Sequence, residues 1–212
     1  MSRPAARRPL PLLAAAVAAF AVAAGAGAAL LLHRPAASDA RALNAPVQFA
    51  AGARPAPDFR LPDLAAGGTV SLRGLRGHVV LLTFLDSRCT KLCPIVGHEV
   101  AVVARRLPAA ARPVLVAVSV NPADSRASAA AAIHRYGWVG AWHWAGGTHA
   151  RLAAVWKRYG IQVEPTTNDI AHGEAVYVID GRGDERAGYL PPFAPGQLAA
   201  DVRTLEAEER HV

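Results

Sequence analysis

Cysteine is scarce in this sequence: Cys89 and Cys93 are the only two among 212 residues. Neither lies near residues 25–35, so we expect no lipoprotein anchor there. A disulfide between them would close a very short loop, and a crosslink stabilises a fold less when its loop is short. The pair is therefore a poor structural crosslink.

The length of the chain allows one domain with a sizeable core, plus an appendage.

Runs of basic residues are missing from most of the chain. The formal net charge is +7, from 23 basic and 16 acidic side chains. Residues 1–45 hold five arginines and one aspartate (+4), which leaves 18 basic and 15 acidic side chains (+3) elsewhere. A nucleic-acid-binding domain concentrates positive charge on one surface. This distribution argues against nucleic acid as a partner.

Charged residues are also absent from the Ala-, Leu- and Val-rich segment Leu10–Leu32, which Arg7 and Arg8 precede. Its 23 residues would rise about 34 Å as a helix, enough for the roughly 30 Å hydrocarbon core. Cleaved signals usually have shorter apolar regions, and a basic flank stays cytoplasmic. We expect residues 1–34 to be a cytoplasmic tip and a transmembrane anchor, with a cleaved signal as the alternative. The remainder would be exported to an oxidising, periplasmic or extracytoplasmic compartment.

Residues 35–54 are rich in Ala and Pro and lack periodicity, so they are predicted to be a linker to a domain at 55–212. That domain opens with a predicted hairpin, in which residues 58–63 and 69–72 flank Gly67 and Gly68.

An apolar run, His78–Leu85, follows the hairpin and is typical of a strand buried on both faces. Pro94 is predicted to open a helix with Val96, Val100 and Val103 on one face. Further strands are predicted at 114–120, 142–144, 175–179 and 187–190, and helices from Asp124 or Ser125 to Tyr136, from Thr148 to Gly160, and from Pro195 through Leu205. This order predicts an α/β, thioredoxin-like sandwich with an N-terminal hairpin, preceded by one N-terminal transmembrane helix.

The two cysteines lie on the loop between the central strand and its helix, where open α/β sheets usually build sites. They can form a redox disulfide or bind a soft metal as thiolates, although redox pairs usually have two intervening residues rather than three. Among the eight histidines, His172 is the candidate third ligand. It ends a long predicted surface loop, 161–174, and an antiparallel pairing of the next strand with the central one would bring it to the thiols.

Two charged residues on the thiol loop, Arg88 and Lys91, have two interpretations. They could favour the thiolate forms of the cysteines, or they could simply be solvated charges. The four tryptophans are interpreted as packing residues rather than as a recognition surface.

Several motifs together resemble one protein family. They are Ala56–Leu61, Gly77–Phe84, Cys89-Thr-Lys-Leu-Cys93-Pro94, Val118–Pro122 with Asp124, Trp156–Gly160, and His172 ahead of Val176–Asp180. The sequence resembles the SCO/SenC family of membrane-anchored, thioredoxin-fold copper proteins over residues 55–207.

The resemblance implies that Cys89, Cys93 and His172 are copper ligands. It also implies delivery of copper to the dinuclear copper centre of cytochrome c oxidase, with that subunit, a copper donor protein and the membrane as partners. The donor set suits the metal, since thiolates select Cu(I) and an imidazole also admits Cu(II), whereas a structural zinc site normally takes four protein ligands. The alternatives are a thiol-disulfide reductase that keeps the recipient's cysteines reduced, and a redox or copper sensor.

The chain departs from the family pattern near the expected site. Thr90 stands where the family usually has Pro, Asn121 replaces a common Asp, and Gly173-Glu174 follows the histidine in place of a usual Ser or Thr. None of these departures removes an expected ligand.

Overall fold

The computed structural model describes residues 42–166 and 169–210. The predicted anchor or signal at 1–34 and the first part of the predicted linker lie outside these residues. Within the described ranges, no helix is both long and apolar enough to span a membrane.

The described residues form a central mixed sheet with helices on both faces. The strands are β1 (Val47–Gln48), β2 (Arg60–Pro62), β3 (Thr69–Ser71), β4 (Val80–Leu85), β5 (Val114–Ser119), β6 (Trp142–Ala145), β7 (Val163–Pro165), β8 (Ile170–His172), β9 (Val176–Ile179) and β10 (Glu185–Tyr189). The helices are α1 (Leu92–Arg105), α2 (Arg126–Tyr136), α3 (His149–Tyr159) and α4 (Pro195–Glu209), with short 3-10 turns at Leu72–Leu75 and Ala109–Ala111.

The strand order of the main sheet is β1-β10-β9-β4-β5-β6. β4, β5 and β6 run parallel, whereas β9 is antiparallel to β4 and to β10. β2 with β3 and β7 with β8 form two separate antiparallel pairs. The α/β prediction is therefore confirmed, and the mixed sheet with its covering helices fits a thioredoxin-like fold.

The central strand β4 explains why its sequence shows no polar alternation. All six of its residues are buried, and the five apolar ones divide between two apolar clusters. Leu81 and Leu85 pack on the side of α1, α2 and α4, while Leu82 and Phe84 pack on the side of the β2–β3 hairpin and α3. A strand that has core on both faces needs apolar residues at every position.

Capping residues mark two of the helix ends. α1 begins at Leu92, two residues before the predicted start at Pro94, and its predicted apolar face is buried. Ser125 caps α2 by accepting from the backbone N–H of Ser128, so it is Ser125 rather than Asp124 that starts this helix. α3 ends at Gly160 in the left-handed conformation, as its sequence predicts.

The linker prediction is wrong for residues 43–48. Val47 and Gln48 form β1 at the edge of the sheet, and Leu43 and Ala45 are buried in the core. Asp201 of α4 holds the segment by accepting hydrogen bonds from the backbone N–H groups of Asn44 and Ala45. A two-residue strand carries no readable alternation, so composition alone indicated a linker.

The prediction of a long loop at 161–174 is also wrong in part. The segment contains β7 and β8, with Val163 paired to His172 and Pro165 to Ile170. Strands of three residues are too short to show a period of two, and the proline further hides them. His172 is thus the last residue of a strand, and strand pairing fixes its backbone.

Candidate metal centre

The two thiols occupy different environments at the carboxyl end of β4. Cys93 is the second residue of α1 and is completely buried. Cys89 is half-buried on the preceding loop, where its Sγ accepts from the backbone N–H of Lys91 at 3.4 Å. Both cysteines are free thiols. The helix therefore fixes Cys93 inside the protein, and the loop presents Cys89 towards solvent.

The antiparallel pairing of β9 with β4 brings the histidine to the thiols. Thr83 near the end of β4 pairs with Val176 at the start of β9, so the chain just before β9 lies beside the thiol loop. The Nε2 atom of His172 is 3.5 Å from the Sγ atom of Cys93. The side chain of His172 is only 4% exposed. Two of the three predicted ligands are therefore in contact.

A backbone contact defines which ring nitrogen of His172 faces Cys93. Nδ1 lies 3.0 Å from the carbonyl oxygen of Gly173, which can only accept, so Nδ1 carries the proton. Burial lowers the pKa of His172, and the hydrogen bond to Gly173 opposes that shift only in part. The ring is then neutral, and the lone pair of Nε2 points at the thiol. The neutral imidazole is also the form of histidine that binds a metal.

Burial also keeps the Cys93 thiol protonated. Burial is the largest effect on the pKa of Cys93 and raises it. The neighbouring Cys89 and Glu174 raise the pKa further, whereas a hydrogen bond with the backbone of Asp86 lowers it. The thiolate is the form that binds metals, so loading this site must displace the Cys93 proton.

Glu174 is a member of the site that the sequence analysis did not select. One donor atom each from Cys93, His172 and Glu174 lie within 4.8 Å of one another. Oε1 of Glu174 is 3.9 Å from Cys93 Sγ and 3.8 Å from His172 Nε2. Cys89 is not part of this compact group. The sequence showed Glu174 only as a departure from the family pattern, with no local sign that its side chain is buried.

A family model described as SCO1/SenC matches residues 49–207 of the chain. This match spans most of the 212 residues. The chain belongs to the SCO1/SenC family. No curated protein sequence is a significant match to it.

Solved structures of Sco proteins share the fold of this SCO1/SenC chain. Bradyrhizobium japonicum ScoI with copper bound is 24% identical, with 71% of this chain and 98% of that chain covered and a TM-score of 0.62. A SCO1/SenC family lipoprotein from Bacillus anthracis is 20% identical, with 77% and 99% covered and a TM-score of 0.65. BsSco, a member of the Sco family of cytochrome c oxidase assembly proteins in which a disulfide switch was identified, is 19% identical, with 73% and 94% covered and a TM-score of 0.62.

Two carboxylates, one buried (Asp86) and one half-buried (Asp124), anchor the thiol loop of this SCO1/SenC domain to the end of β5. Asp86 accepts from the backbone N–H of Arg88 at 2.9 Å and from Nδ2 of Asn121 at 3.2 Å. Asp124 accepts from the hydroxyl of Ser87 and from Nε1 of Trp144. Asn121 donates to Asp86 through its amide nitrogen, which an ionised carboxylate at this position could not do.

The two cations beside the thiols make contacts that the sequence could not assign. The guanidinium of Arg88 donates to the carbonyl oxygen of Ala123 at 2.7 Å. Lys91 pairs with Asp169 at 2.8 Å, and this ion pair links the thiol loop to β8. It raises the pKa of Lys91 and lowers that of Asp169. Because the Lys91 side chain is 74% exposed, solvent screens the pair.

Proposed function

We propose that this chain binds one copper ion through Cys89, Cys93 and His172 and delivers it to the dinuclear copper site of cytochrome c oxidase. The 3.5 Å contact between Cys93 Sγ and His172 Nε2 is the observation that carries the proposal. It joins a soft thiol to a neutral imidazole whose lone pair points at the sulfur. Thiolates select Cu(I), and imidazole also suits Cu(II), so this donor set fits copper in either oxidation state.

The unequal exposure of the two thiols supports transfer rather than permanent storage. Cys93 is buried on a helix and stays in place, while Cys89 is half-buried on a loop. A recipient thiolate could replace Cys89 first, and Cys93 and His172 would hold the ion until the exchange is complete. Copper would thus pass between proteins without release into solvent.

The family supports the direction of the proposal. A copper-bound ScoI has the same fold, and BsSco is described as belonging to cytochrome c oxidase assembly proteins. In our proposal residues 1–34 anchor the chain in the membrane or direct its export, and the domain works outside the cytoplasm. Its partners there are the copper-centre subunit of the oxidase and a copper donor protein.

A thiol-disulfide reductase is the second candidate function. The two free thiols and their unequal exposure also suit disulfide exchange. Cys89 would attack the recipient's disulfide to form a mixed disulfide, and Cys93 would then displace the recipient as a dithiol and leave a Cys89–Cys93 disulfide. The disulfide switch identified in BsSco favours the same candidate. In such an enzyme His172 would act on the thiols rather than on a metal.

Anaerobic titration of the reduced, full-length chain with Cu(I) against a competing chelator tests the proposal. We expect one tightly bound copper per chain, and a large loss of affinity in each of the variants Cys89→Ser, Cys93→Ser and His172→Ala. His134→Ala, at an exposed histidine on α2, is the matched control and should bind as the wild type does.

A parallel assay of disulfide exchange on the same variants separates the two candidates. The copper chaperone predicts that His172→Ala loses copper binding and retains exchange with a model disulfide. A wild type that binds no copper, and that reduces disulfides equally well with and without added copper, would contradict the chaperone function and favour the reductase function.

A further inference from the structure

Glu174 presents a buried carboxylate without a complete set of partners. Its side chain is 9% exposed, and its Oε2 atom is buried with no hydrogen-bond partner among the described residues. The other oxygen, Oε1, lies between Cys93 Sγ at 3.9 Å and His172 Nε2 at 3.8 Å. Polar groups buried in proteins nearly always have partners, and this carboxylate lies beside Cys93 and His172, where it can bind a ligand.

The described residues supply no permanent cation to balance this carboxylate. Among the described residues, His172 is the only basic group within ion-pair distance of Glu174, and its two ring nitrogens face the carbonyl oxygen of Gly173 and Cys93 Sγ. Lys91, the cation of the thiol loop, is instead paired with Asp169 and faces solvent. Burial without a nearby cation disfavours the ionised carboxylate, and a metal ion bound here would offset that cost.

The spacing of the three donor atoms fits one metal ion. Bonds of about 2.0–2.3 Å, as these donor types make to zinc, place neighbouring donors around one ion about 3.4–3.8 Å apart. The separations here are 3.5 Å for sulfur to nitrogen, 3.8 Å for nitrogen to oxygen and 3.9 Å for sulfur to oxygen. Shifts of a few tenths of an ångström would bring all three onto one ion.

We propose that Glu174 is an additional metal ligand of this site, and that it binds Cu(II) and not Cu(I). This inference rests on the proposed copper site and defines its selectivity. A carboxylate oxygen is a hard donor that suits a divalent ion, whereas Cu(I) is satisfied by the soft thiolates. Cu(II) would then take Cys89, Cys93, His172 and Glu174, while Cu(I) would leave the carboxylate free.

A ligand for one oxidation state sets the reduction potential of the bound metal. If Glu174 strengthens only Cu(II) binding, its removal raises the potential of the Cu(II)/Cu(I) couple. A tenfold loss of Cu(II) affinity at constant Cu(I) affinity corresponds to about 59 mV for this one-electron couple. The carboxylate would therefore favour the oxidised state of the bound copper.

The test measures both oxidation states in the full-length chain and in Glu174→Gln. This variant keeps the size of the side chain and removes its charge, and Glu174→Ala repeats the test without the amide. The matched control is Glu164→Gln, at an exposed glutamate on β7 next to the strand of His172. Affinities for Cu(I) and for Cu(II) are measured anaerobically against chelators, and the Cu(II) forms are compared by electron paramagnetic resonance.

We expect Glu174→Gln to weaken Cu(II) binding at least about tenfold and to leave the Cu(I) affinity within about twofold of the wild-type value. A loss of this size is typical of groups that support a metal site. The Cu(II) resonance of the variant should shift, and the control should match the wild type in all three measurements.

Three results would overturn this role. Equal losses for both oxidation states would show that Glu174 only positions His172. No change in either affinity would show that the carboxylate does not touch the metal. A wild type that binds no copper would overturn the proposed function itself, whereas the first two results leave copper binding by the thiols and the histidine intact.

Discussion

The two cysteines carry the same functional group in different surroundings, and this difference matters most at the scale of single residues. Cys93 is fully buried, and burial raises the pKa of its thiol, so it is neither accessible nor ionised in the folded, metal-free chain. Cys89 is half-buried on its loop. In the proposed transfer, accessibility therefore favours Cys89 for the exchange of ligands with a partner.

Alkylation of the reduced, folded chain should distinguish the two thiols. We expect iodoacetamide to modify Cys89 first, because reaction requires an accessible thiolate. Peptide mass spectrometry locates the added group, and in Cys89→Ser the folded protein should react only slowly. Modification of Cys93 at the same rate as Cys89 would contradict the buried position of Cys93.

Asp63 is a second residue whose charge depends on its neighbours. It accepts from Nδ1 of His143 at 2.6 Å, and from the backbone N–H groups of Ala65, Ala66 and Trp144. Burial opposes ionisation of this carboxyl, but the hydrogen bonds outweigh burial and lower its pKa below the ordinary value of 3.8. The ionised form thus stabilises the fold, and it ties the β2–β3 hairpin to β6.

We therefore predict a pH-dependent effect of the change Asp63→Asn on stability. A carboxyl whose pKa is lower in the folded state contributes stability above its unfolded pKa, and that contribution is lost as the pH falls through the folded value. The variant should be less stable than the wild type near pH 7, and the difference should shrink below about pH 4. Urea unfolding at a series of pH values measures it. A difference that stays constant with pH would contradict the ionised role of Asp63.

Packing between elements positions the metal centre, and Gly97 is the tightest point of that packing. It lies one turn after Cys93 on α1, and a Cβ atom there would be 2.4 Å from the ring of Tyr136 on α2. Nε1 of Trp138 donates to the carbonyl oxygen of Gly97 at 2.9 Å. The absence of a side chain thus lets α2 approach the helix that carries the buried thiol.

The change Gly97→Ala should destabilise the fold by about 1–3 kcal/mol, as overpacking of a well-filled core does. Gly196→Ala is the matched control, because the nearest atom to its added Cβ is Arg106 Nη1 at 4.0 Å. Alanine inside a helix is favoured over glycine by roughly 0.5–1 kcal/mol, so this control should be neutral or slightly stabilised. Denaturant unfolding measures both variants, and equal stability of the two would contradict the close contact.

Element lengths explain which parts of the fold the sequence reveals. β4 has six buried residues and is predicted from its unbroken apolar run, whereas α1 is long enough for a complete helical stripe and is predicted from its periodicity. β1, β7 and β8 have two or three residues each, too few to show any period, and only tertiary pairing forms them. These short strands were accordingly interpreted as linker and loop.

For the site residues as well, the sequence reveals those that local patterns mark and misses those that only long-range contacts bring together. Cys89 and Cys93 are visible in the sequence because they are adjacent and unique, and His172 required an assumed antiparallel strand, which the structure has. Glu174 could not be selected, because its burial depends on the pairing of β9 with β4 and on the packing of the thiol loop beside it. No local pattern records such a contact.

At the scale of the whole described domain, a central mixed sheet carries the site at the carboxyl end of its strand β4. The helix α1 fixes Cys93, the separate β7–β8 pair fixes His172, and the half-buried loop adds Cys89. The SCO1/SenC family model spans nearly all of this described domain. The account requires that all three residues hold the same ion, and Cys89 is the member outside the compact group of donors.

X-ray absorption at the copper edge of the Cu(I)-loaded, full-length chain tests this requirement most directly. The account predicts two sulfur ligands and one nitrogen ligand in the wild type. It further predicts that Cys89→Ser loses one sulfur and His172→Ala loses the nitrogen. A wild-type spectrum with a single sulfur, unchanged by Cys89→Ser, would place Cys89 outside the metal centre and contradict the account.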